Sequence, residues 1–188
     1  MDSGLLVDAR RVLLEELREH ALMRGDFVLA SGRKSTYLID AKRAIMRPRG
    51  FMALGVLVAE EAKLRGATAV GGMTMGADPI ACAALAGGAD AKAFFVRKEA
   101  KDHGAGRQIE GALLEPGERC LMVEDVVTTG GSTVRAIEIV KQAGYEVVGV
   151  VAVCDRLAGG AEALEEAAGA PFTALTTIDD IHPERDDR

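Results

Sequence analysis

Aromatic residues are scarce in this sequence. Trp is absent, and aromatic residues make up only 4% of the 188 positions. The core must therefore consist of Ala, Val, Leu, Ile and Met, and with 48% hydrophobic residues the chain is long enough to bury one. Such a core is typical of a layered α/β protein, and the length predicts a single domain over residues 1–188.

Cysteine is also scarce, and its pattern excludes two kinds of site. Cys82, Cys120 and Cys154 lie singly in apolar stretches without a C-x-x-C pair. This excludes a disulfide framework and a cysteine-based zinc site, and it predicts three buried thiols in a reducing cytosol. No apolar run reaches about 18 residues, and charges interrupt the N-terminal leucines. We therefore expect a cytoplasmic protein without a membrane helix or signal peptide.

Negative charge exceeds positive charge, with a formal net charge of −6. Nucleic acid and anionic membranes repel such a protein on average, so neither is expected as a partner. Only a local group of basic residues could counter this repulsion.

Helical and strand-like segments alternate along the chain. Amphipathic spacing predicts helices at residues 5–22, 49–65, 78–86, 132–143 and 162–168. Short apolar runs predict strands at residues 68–72, 93–97, 119–124, 146–154 and 172–175, and residues 27–40 have the pattern of strand and turn. Residues 98–111 have no periodicity, and the charged tail at 182–188 is expected to fray, with His182 on the surface.

This alternation predicts an α/β fold with a mostly parallel central sheet and flanking helices. A small N-terminal hood is expected at about residues 1–45 and the sheet-containing core at about 46–180. In such sheets, ligands bind at the carboxyl ends of the strands. Each informative motif follows a strand.

The strongest motif, named the phosphate loop, covers residues 124–133. An apolar strand ends in Glu124 and Asp125, and the sequence continues V-V-T-T-G-G-S-T into a helix that begins near Ser132. Gly130 and Gly131 allow backbone N–H groups to converge on an anion at the helix N-terminus. The carboxylates beside it can accept hydrogen bonds from the hydroxyls of a sugar. The alternative is a strand end with solvated acids and a Ser/Thr cap.

A second motif, named the lid segment, covers residues 97–104 with the sequence R-K-E-A-K-D-H-G. Its cations can neutralise a phosphorylated leaving group, and glycine-containing lids exclude water. The alternative is a solvated charged loop.

A third motif, the glycine turn at residues 71–79, follows a strand and opens a helix. It suits an anion, and it equally suits a plain turn with Asp78 as N-cap and Pro79 at the first helical position.

The phosphate loop closely resembles the signature of the type I phosphoribosyltransferases. The lid segment resembles the catalytic loop of the orotate phosphoribosyltransferases within that family. Residues 27–37 are similar to the family's base-binding segment, and Val153-Cys154-Asp155-Arg156 matches the strand end that supplies its orotate-binding arginine. The resemblance covers residues 27–156.

The resemblance implies a type I phosphoribosyltransferase fold and a specific reaction. The 5-phosphoribosyl group would pass from 5-phosphoribosyl 1-diphosphate to orotate, giving orotidine 5-phosphate and diphosphate in pyrimidine synthesis. It also implies a homodimer in which Lys101 and His103 reach the neighbouring subunit's site. Mg²⁺ would bind through the donor, because no side-chain cluster suited to a metal is evident in the sequence.

Carried over position by position, the resemblance assigns three sets of residues. The catalytic residues would be Lys101, His103, Arg97 and Asp125. The donor-binding residues would be Arg97, Lys98, Lys101, His103, Glu124, Asp125, Val126, Val127, Thr128, Thr129, Gly130, Gly131 and Ser132. The carboxylate of orotate would bind to Thr128 and Arg156.

The sequence departs from many relatives at two positions, where Met75 and Ala30 replace lysines that would touch the donor. This places the diphosphate contacts in question.

Two other functions are compatible with the motifs: transfer to a purine or another pyrimidine, and a nucleic-acid-binding regulator with the same fold. Arg156 argues against a neutral base, which needs no carboxylate partner. The net charge of −6 and the intact Lys101 and His103 argue against the regulator.

Overall fold

The computed structural model describes residues 3–28, 34–99 and 108–185. The strands are β1 (Leu22–Val28), β2 (Lys34–Ile39), β3 (Ala69–Met73), β4 (Lys92–Val96), β5 (Ile109–Gly111), β6 (Arg119–Val127), β7 (Glu146–Asp155) and β8 (Phe172–Thr177). The helices are α1 (Ser3–Glu16), α2 (Lys42–Ile45), α3 (Pro48–Leu64), α4 (Asp78–Ala86), α5 (Gly131–Gln142), α6 (Gly160–Ala168) and α7 (Ile178–Ile181).

The central sheet has six strands in the order β5-β4-β3-β6-β7-β8. All neighbouring pairs are parallel except β4 and β5. This arrangement confirms the predicted α/β fold with a mostly parallel sheet and flanking helices. The carboxyl ends of β3, β6 and β7 meet at one edge, which is where the sequence motifs fall.

Helices cover both faces of the sheet and bury it in two apolar clusters. Leu121 and Met122 on β6 are fully buried, as expected for a strand covered on both sides. On β3 a side chain at Gly72 would collide with the carbonyl oxygen of Val123 on β6. The glycine therefore permits close approach of the two central strands.

The β1–β2 hairpin forms a separate antiparallel sheet in the region predicted to be the hood. The helix predicted at residues 5–22 is shorter than expected. Its α-helical part ends at Glu16, a π-helical turn covers Leu17–Ala21, and Leu22 begins β1. The hood boundary near residue 45 stays a prediction.

Several other sequence predictions differ from the structure. The strand predicted to end at Glu124 continues to Val127, because Val126 and Val127 pair with β7. A short strand, β5, lies within the segment predicted to be irregular, where it pairs with β4. Cys82 is exposed, whereas Cys120 and Cys154 are buried as predicted. Among the described residues, no helix combines the length and apolar character needed to cross a membrane.

Candidate active site

The phosphate loop joins the end of β6 to the start of α5. Gly130 caps the helix with φ of 77°, a backbone conformation that favours glycine. Thr129, Gly131 and Ser132 are exposed at this helix N-terminus, where unpaired N–H groups and the helix dipole favour an anion. These positions can therefore receive a phosphate group from solvent.

The N-terminus of α6 supports the phosphate loop from behind. A side chain at Gly160 would lie 2.6 Å from Cγ1 of Val127 and 2.7 Å from the carbonyl oxygen of Thr128. Only a glycine permits this close packing without displacing the loop. The sequence analysis did not identify Gly160, because its role depends on a contact between separate βα units.

Glu124 is buried within a ring of hydrogen-bond donors. Its Oε2 atom accepts hydrogen bonds from Oγ1 of Thr133 at 2.6 Å and Oγ of Ser132 at 3.1 Å. The pKa of Glu124 is raised from 4.5 to about 7, mainly by burial and next by the neighbouring Asp125, while the Thr133 hydroxyl opposes the shift. This carboxyl group can therefore change its charge near neutral pH.

Asp125 is held on both of its carboxylate oxygens. Oδ1 accepts a hydrogen bond from the backbone N–H of Val126 at 2.9 Å, and Oδ2 lies 2.9 Å from Nζ of Lys42. The same Nζ lies 2.9 Å from Oδ1 of Asp40. Sequence analysis missed Lys42, because its position on α2 gives no local signal that it faces β6.

The glycine turn lies directly against this pair of acids. A side chain at Gly76 would fall 2.7 Å from Oδ1 of Asp125 and 3.0 Å from Oε1 of Glu124. The expected N-cap is shifted by one residue: Ala77 is the cap, and Asp78 lies in the first turn, where it accepts a hydrogen bond from Thr74. Met75 is 74% exposed and leaves this part of the site without a cation of its own.

Only part of the lid segment falls within the described residues. Arg97 donates to Oε1 of Glu110 on β5 at 2.9 Å, and the carbonyl oxygen of Lys98 accepts a hydrogen bond from Arg135 at 2.6 Å. Lys101 and His103 lie outside the described residues. The structure thus places Arg97 and Lys98 beside the glycine turn, where they line one cavity with Thr74.

Arg156 lies at the end of β7, beside the phosphate loop. Its backbone N–H donates to the carbonyl oxygen of Val127 at 2.9 Å, which brings it next to Thr128. Its Nη2 donates to the hydroxyl of Tyr37 at 3.2 Å, and its guanidinium carbon lies 5.2 Å from the centre of that ring. The two residues predicted to bind a carboxylate therefore lie at adjacent strand ends.

The prediction that His182 belongs to a frayed surface tail is wrong. His182 packs edge-on against Tyr37, with ring centroids 5.1 Å apart and an interplanar angle of 84°. Arg18 donates to the carbonyl oxygen of Asp180 at 2.6 Å, which further joins this C-terminal segment to the hood. Tertiary packing therefore overrides the polar composition at His182, whereas residues 186–188 of the predicted tail lie outside the described residues.

Val126 and Val127, which were predicted to bind the donor, lie within β6 and not among the exposed residues of the phosphate loop. Val126 and Val127 pair with Cys154 and Asp155 of β7, and the Val127 side chain is buried. Their contact with a donor stays a prediction. Within the described parts of the chain, no group of three or more His, Cys, Asp or Glu side chains is arranged to hold a metal ion.

Comparison with known proteins identifies similar sequences along most of the chain. The Phosphoribosyl transferase domain family matches residues 67–168. A protein from Rhodopirellula baltica named orotate phosphoribosyltransferase is 46% identical over 179 residues, which cover 90% of this chain and 92% of that protein. A protein of the same name from Corynebacterium glutamicum (strain R) is 44% identical over 180 residues, covering 95% and 97%.

Solved structures agree with this result. The orotate phosphoribosyltransferase of Mycobacterium tuberculosis H37Rv in complex with Fe(III) dicitrate is similar with a TM-score of 0.83 and 40% identity, covering 93% of this chain and 99% of that chain. A structure of the same enzyme in complex with 5-phospho-alpha-D-ribosyl 1-diphosphate has a TM-score of 0.75 and 35% identity, covering 93% and 92%. The predicted type I phosphoribosyltransferase fold is confirmed.

Proposed function

Because the chain belongs to the orotate phosphoribosyltransferase family, we propose that it transfers the 5-phosphoribosyl group of 5-phosphoribosyl 1-diphosphate to orotate. The products are orotidine 5-phosphate and diphosphate. One observation supports this function above the others: β6 carries the acid pair Glu124–Asp125 and leads into the exposed N-terminus of α5, and Arg156 is hydrogen-bonded to Val127 at the end of the same strand. At this edge of the sheet, the acid pair can bind sugar hydroxyls, the N-terminus of α5 can bind a phosphate, and Arg156 can bind a planar carboxylate.

The phosphate loop holds the donor in this proposal. The exposed residues Thr129, Gly131 and Ser132 bind the 5-phosphate through backbone N–H groups and hydroxyls. Glu124 and Asp125 accept hydrogen bonds from the ribose hydroxyls. The solved complex of the Mycobacterium tuberculosis enzyme with this donor supports the choice of substrate.

Arg156 and Thr128 hold the carboxylate of orotate. A planar guanidinium forms strong paired hydrogen bonds with a carboxylate. Tyr37 fixes the guanidinium by accepting one hydrogen bond, and its ring lies under the guanidinium carbon at 5.2 Å from the ring centre. These contacts favour orotate over a purine, and the net charge of −6 disfavours the nucleic-acid-binding regulator.

The reaction forms a bond between the ring nitrogen of orotate and the anomeric carbon, and it breaks the bond from that carbon to diphosphate. Diphosphate leaves with the electron pair. Orotate supplies its ring nitrogen as an anion, so the protein mainly aligns the reactants and stabilises developing charge. Arg97, Lys98, Lys101 and His103 neutralise the departing diphosphate, and Asp125 lies beside the cationic sugar.

Mg²⁺ fits this site through the donor. The carboxylates of Glu124 and Asp125 hold ribose hydroxyls, and oxygen donors of this type suit magnesium. When bound, the ion would supply charge neutralisation on the diphosphate. The chain's own residues orient the sugar, and activity should fall when magnesium is removed by a chelator.

A homodimer with shared active sites is the proposed assembly. An exposed apolar groove between α1 and α3, lined by Leu5, Val12 and Met52 among others, supports a protein interface. Sedimentation of the purified chain should give twice the monomer mass. The free cysteines are consistent with the cytoplasm as its location.

The loss of orotate's ultraviolet absorbance in the presence of the donor and magnesium tests the proposed function. We expect a donor-dependent decline that Arg156→Ala abolishes. Arg10→Ala is the matched control, because Arg10 is an exposed residue of α1 that does not line the groove between α1 and α3. No decline with the parent protein, while calorimetry still detects donor binding, would contradict orotate as the acceptor.

A further inference from the structure

We propose that Lys42 is a positioning residue that fixes the carboxylate of Asp125 in the orientation needed for the ribose of the donor. This inference rests on the proposed function and deepens it. The sequence comparison with the family assigned no role to Lys42. Its amine lies between two carboxylates, 2.9 Å from Oδ2 of Asp125 and 2.9 Å from Oδ1 of Asp40.

Asp125 has little freedom while this contact is present. Its side chain is 14% exposed, and its second oxygen, Oδ1, accepts the Val126 N–H at 2.9 Å. Lys42 therefore holds one oxygen and the backbone holds the other. The remaining lone pairs keep a fixed direction, which is the preorganisation that a reacting sugar requires.

Lys42 is itself held by the end of β2. Its backbone N–H donates to Oδ1 of Asp40 at 3.2 Å, and the N–H of Asp40 donates to Ala21 at 3.0 Å. Partial burial lowers the pKa of Lys42, but hydrogen bonds with Asp40 and Asp125 raise it above 10.5 overall. The side chain is therefore a permanent ammonium group at neutral pH.

The contact also joins two parts of the fold. Lys42 begins α2 immediately after the β1–β2 hairpin, which carries Tyr37 of the base site, whereas Asp125 lies on β6 of the central sheet. This ion pair therefore joins the segment that follows the hairpin to the strand that carries the acid pair. Loss of the amine would free Oδ2 of Asp125 and remove the cation that pairs with this carboxylate beside Glu124.

A double-mutant cycle tests this role. Lys42→Met should lower kcat/KM for the donor roughly tenfold or more, the scale that misplacing a reacting group produces. Lys42→Arg should restore most of the loss because it keeps the charge and the hydrogen bonds. In an Asp125→Asn background, assayed at raised enzyme concentration, Lys42→Met should cause no further loss, since the amine acts only through the carboxylate. Lys63→Met, on the exposed end of α3, is the control.

The outcomes separate the alternatives. Additive losses in the cycle would overturn the proposal, because Lys42 would then contact the donor directly. Unchanged kcat/KM in a folded Lys42→Met protein would also overturn it. Thermal unfolding verifies the fold of each variant, and Lys42→Gln replaces Lys42→Met if the latter does not fold. An inactive parent protein would instead contradict the proposed function.

Discussion

Replacing Glu124 with Gln should make the protein more stable and less active. Glu124 is 6% exposed, and its burial together with the neighbouring Asp125 raises its pKa from 4.5 to about 7. Below pH 4.5 the carboxyl is protonated in both the folded and the unfolded chain. As the pH rises from 4.5 to 7, the unfolded chain loses this proton while the folded chain keeps it. Folding is therefore penalised progressively, and the penalty is constant above pH 7.

The size of the effect follows from the pKa. The shift corresponds to about 3 kcal/mol of lost stability above pH 7. Gln lacks this penalty, but its amide has one acceptor oxygen, whereas Glu124 accepts hydrogen bonds on both, with Oε1 bound by the N–H of Asp125 at 3.1 Å and Oε2 by Thr133 at 2.6 Å. That mismatch costs about 1 kcal/mol. The variant should gain about 2 kcal/mol at pH 8, or roughly 4–8 °C in Tm, and almost nothing at pH 5.

Urea unfolding followed by circular dichroism at pH 5 and pH 8 measures this difference, since the chain has no Trp for fluorescence. Glu146→Gln, at an exposed position of β7, is the control and should change stability by less than about 0.5 kcal/mol at either pH. Turnover of Glu124→Gln should fall, because the variant lacks a carboxylate for the ribose. A gain in stability that does not depend on pH would refute the reasoning.

Three further changes test the packing around the site. Leu121→Ala in the core should lower the free energy of unfolding by about 2–5 kcal/mol, whereas Leu113→Ala at an exposed position should have little effect, as measured by urea unfolding. Gly160→Ala should displace the phosphate loop, cost about 1–3 kcal/mol and raise KM for the donor; an unchanged KM would show that the loop tolerates the side chain. His182→Ala should lower Tm because it removes the ring against Tyr37, and His182→Phe should restore it in thermal melts.

Much of the central sheet could be predicted from local patterns. The apolar runs around Leu121 and Val150 are buried on both faces, so their hydrophobicity directly reports their position. The end of β6 could not be predicted in this way. Asp125 is a polar residue within the strand and suggests that the strand has ended. The strand continues to Val127 because Val126 and Val127 pair with β7.

The same distinction between local patterns and tertiary contacts applies to the residues of the candidate site. The acid pair could be recognised because it ends an apolar run, and Arg156 could be recognised through the family resemblance at residues 153–156. Lys42, Gly160 and His182 could not, because each acts through a contact with a distant segment. Tertiary packing of this kind leaves no periodic or local signal in the sequence.

A competition between bases tests the central claim most directly. The parent protein is incubated with 5-phosphoribosyl 1-diphosphate, magnesium and equal amounts of orotate, uracil, adenine and hypoxanthine, and the nucleotides formed are identified by mass spectrometry. The arrangement of Arg156 and Thr128 beside the phosphate loop predicts orotidine 5-phosphate as the dominant product. A purine nucleotide as the dominant product, or no nucleotide at all, would contradict the account.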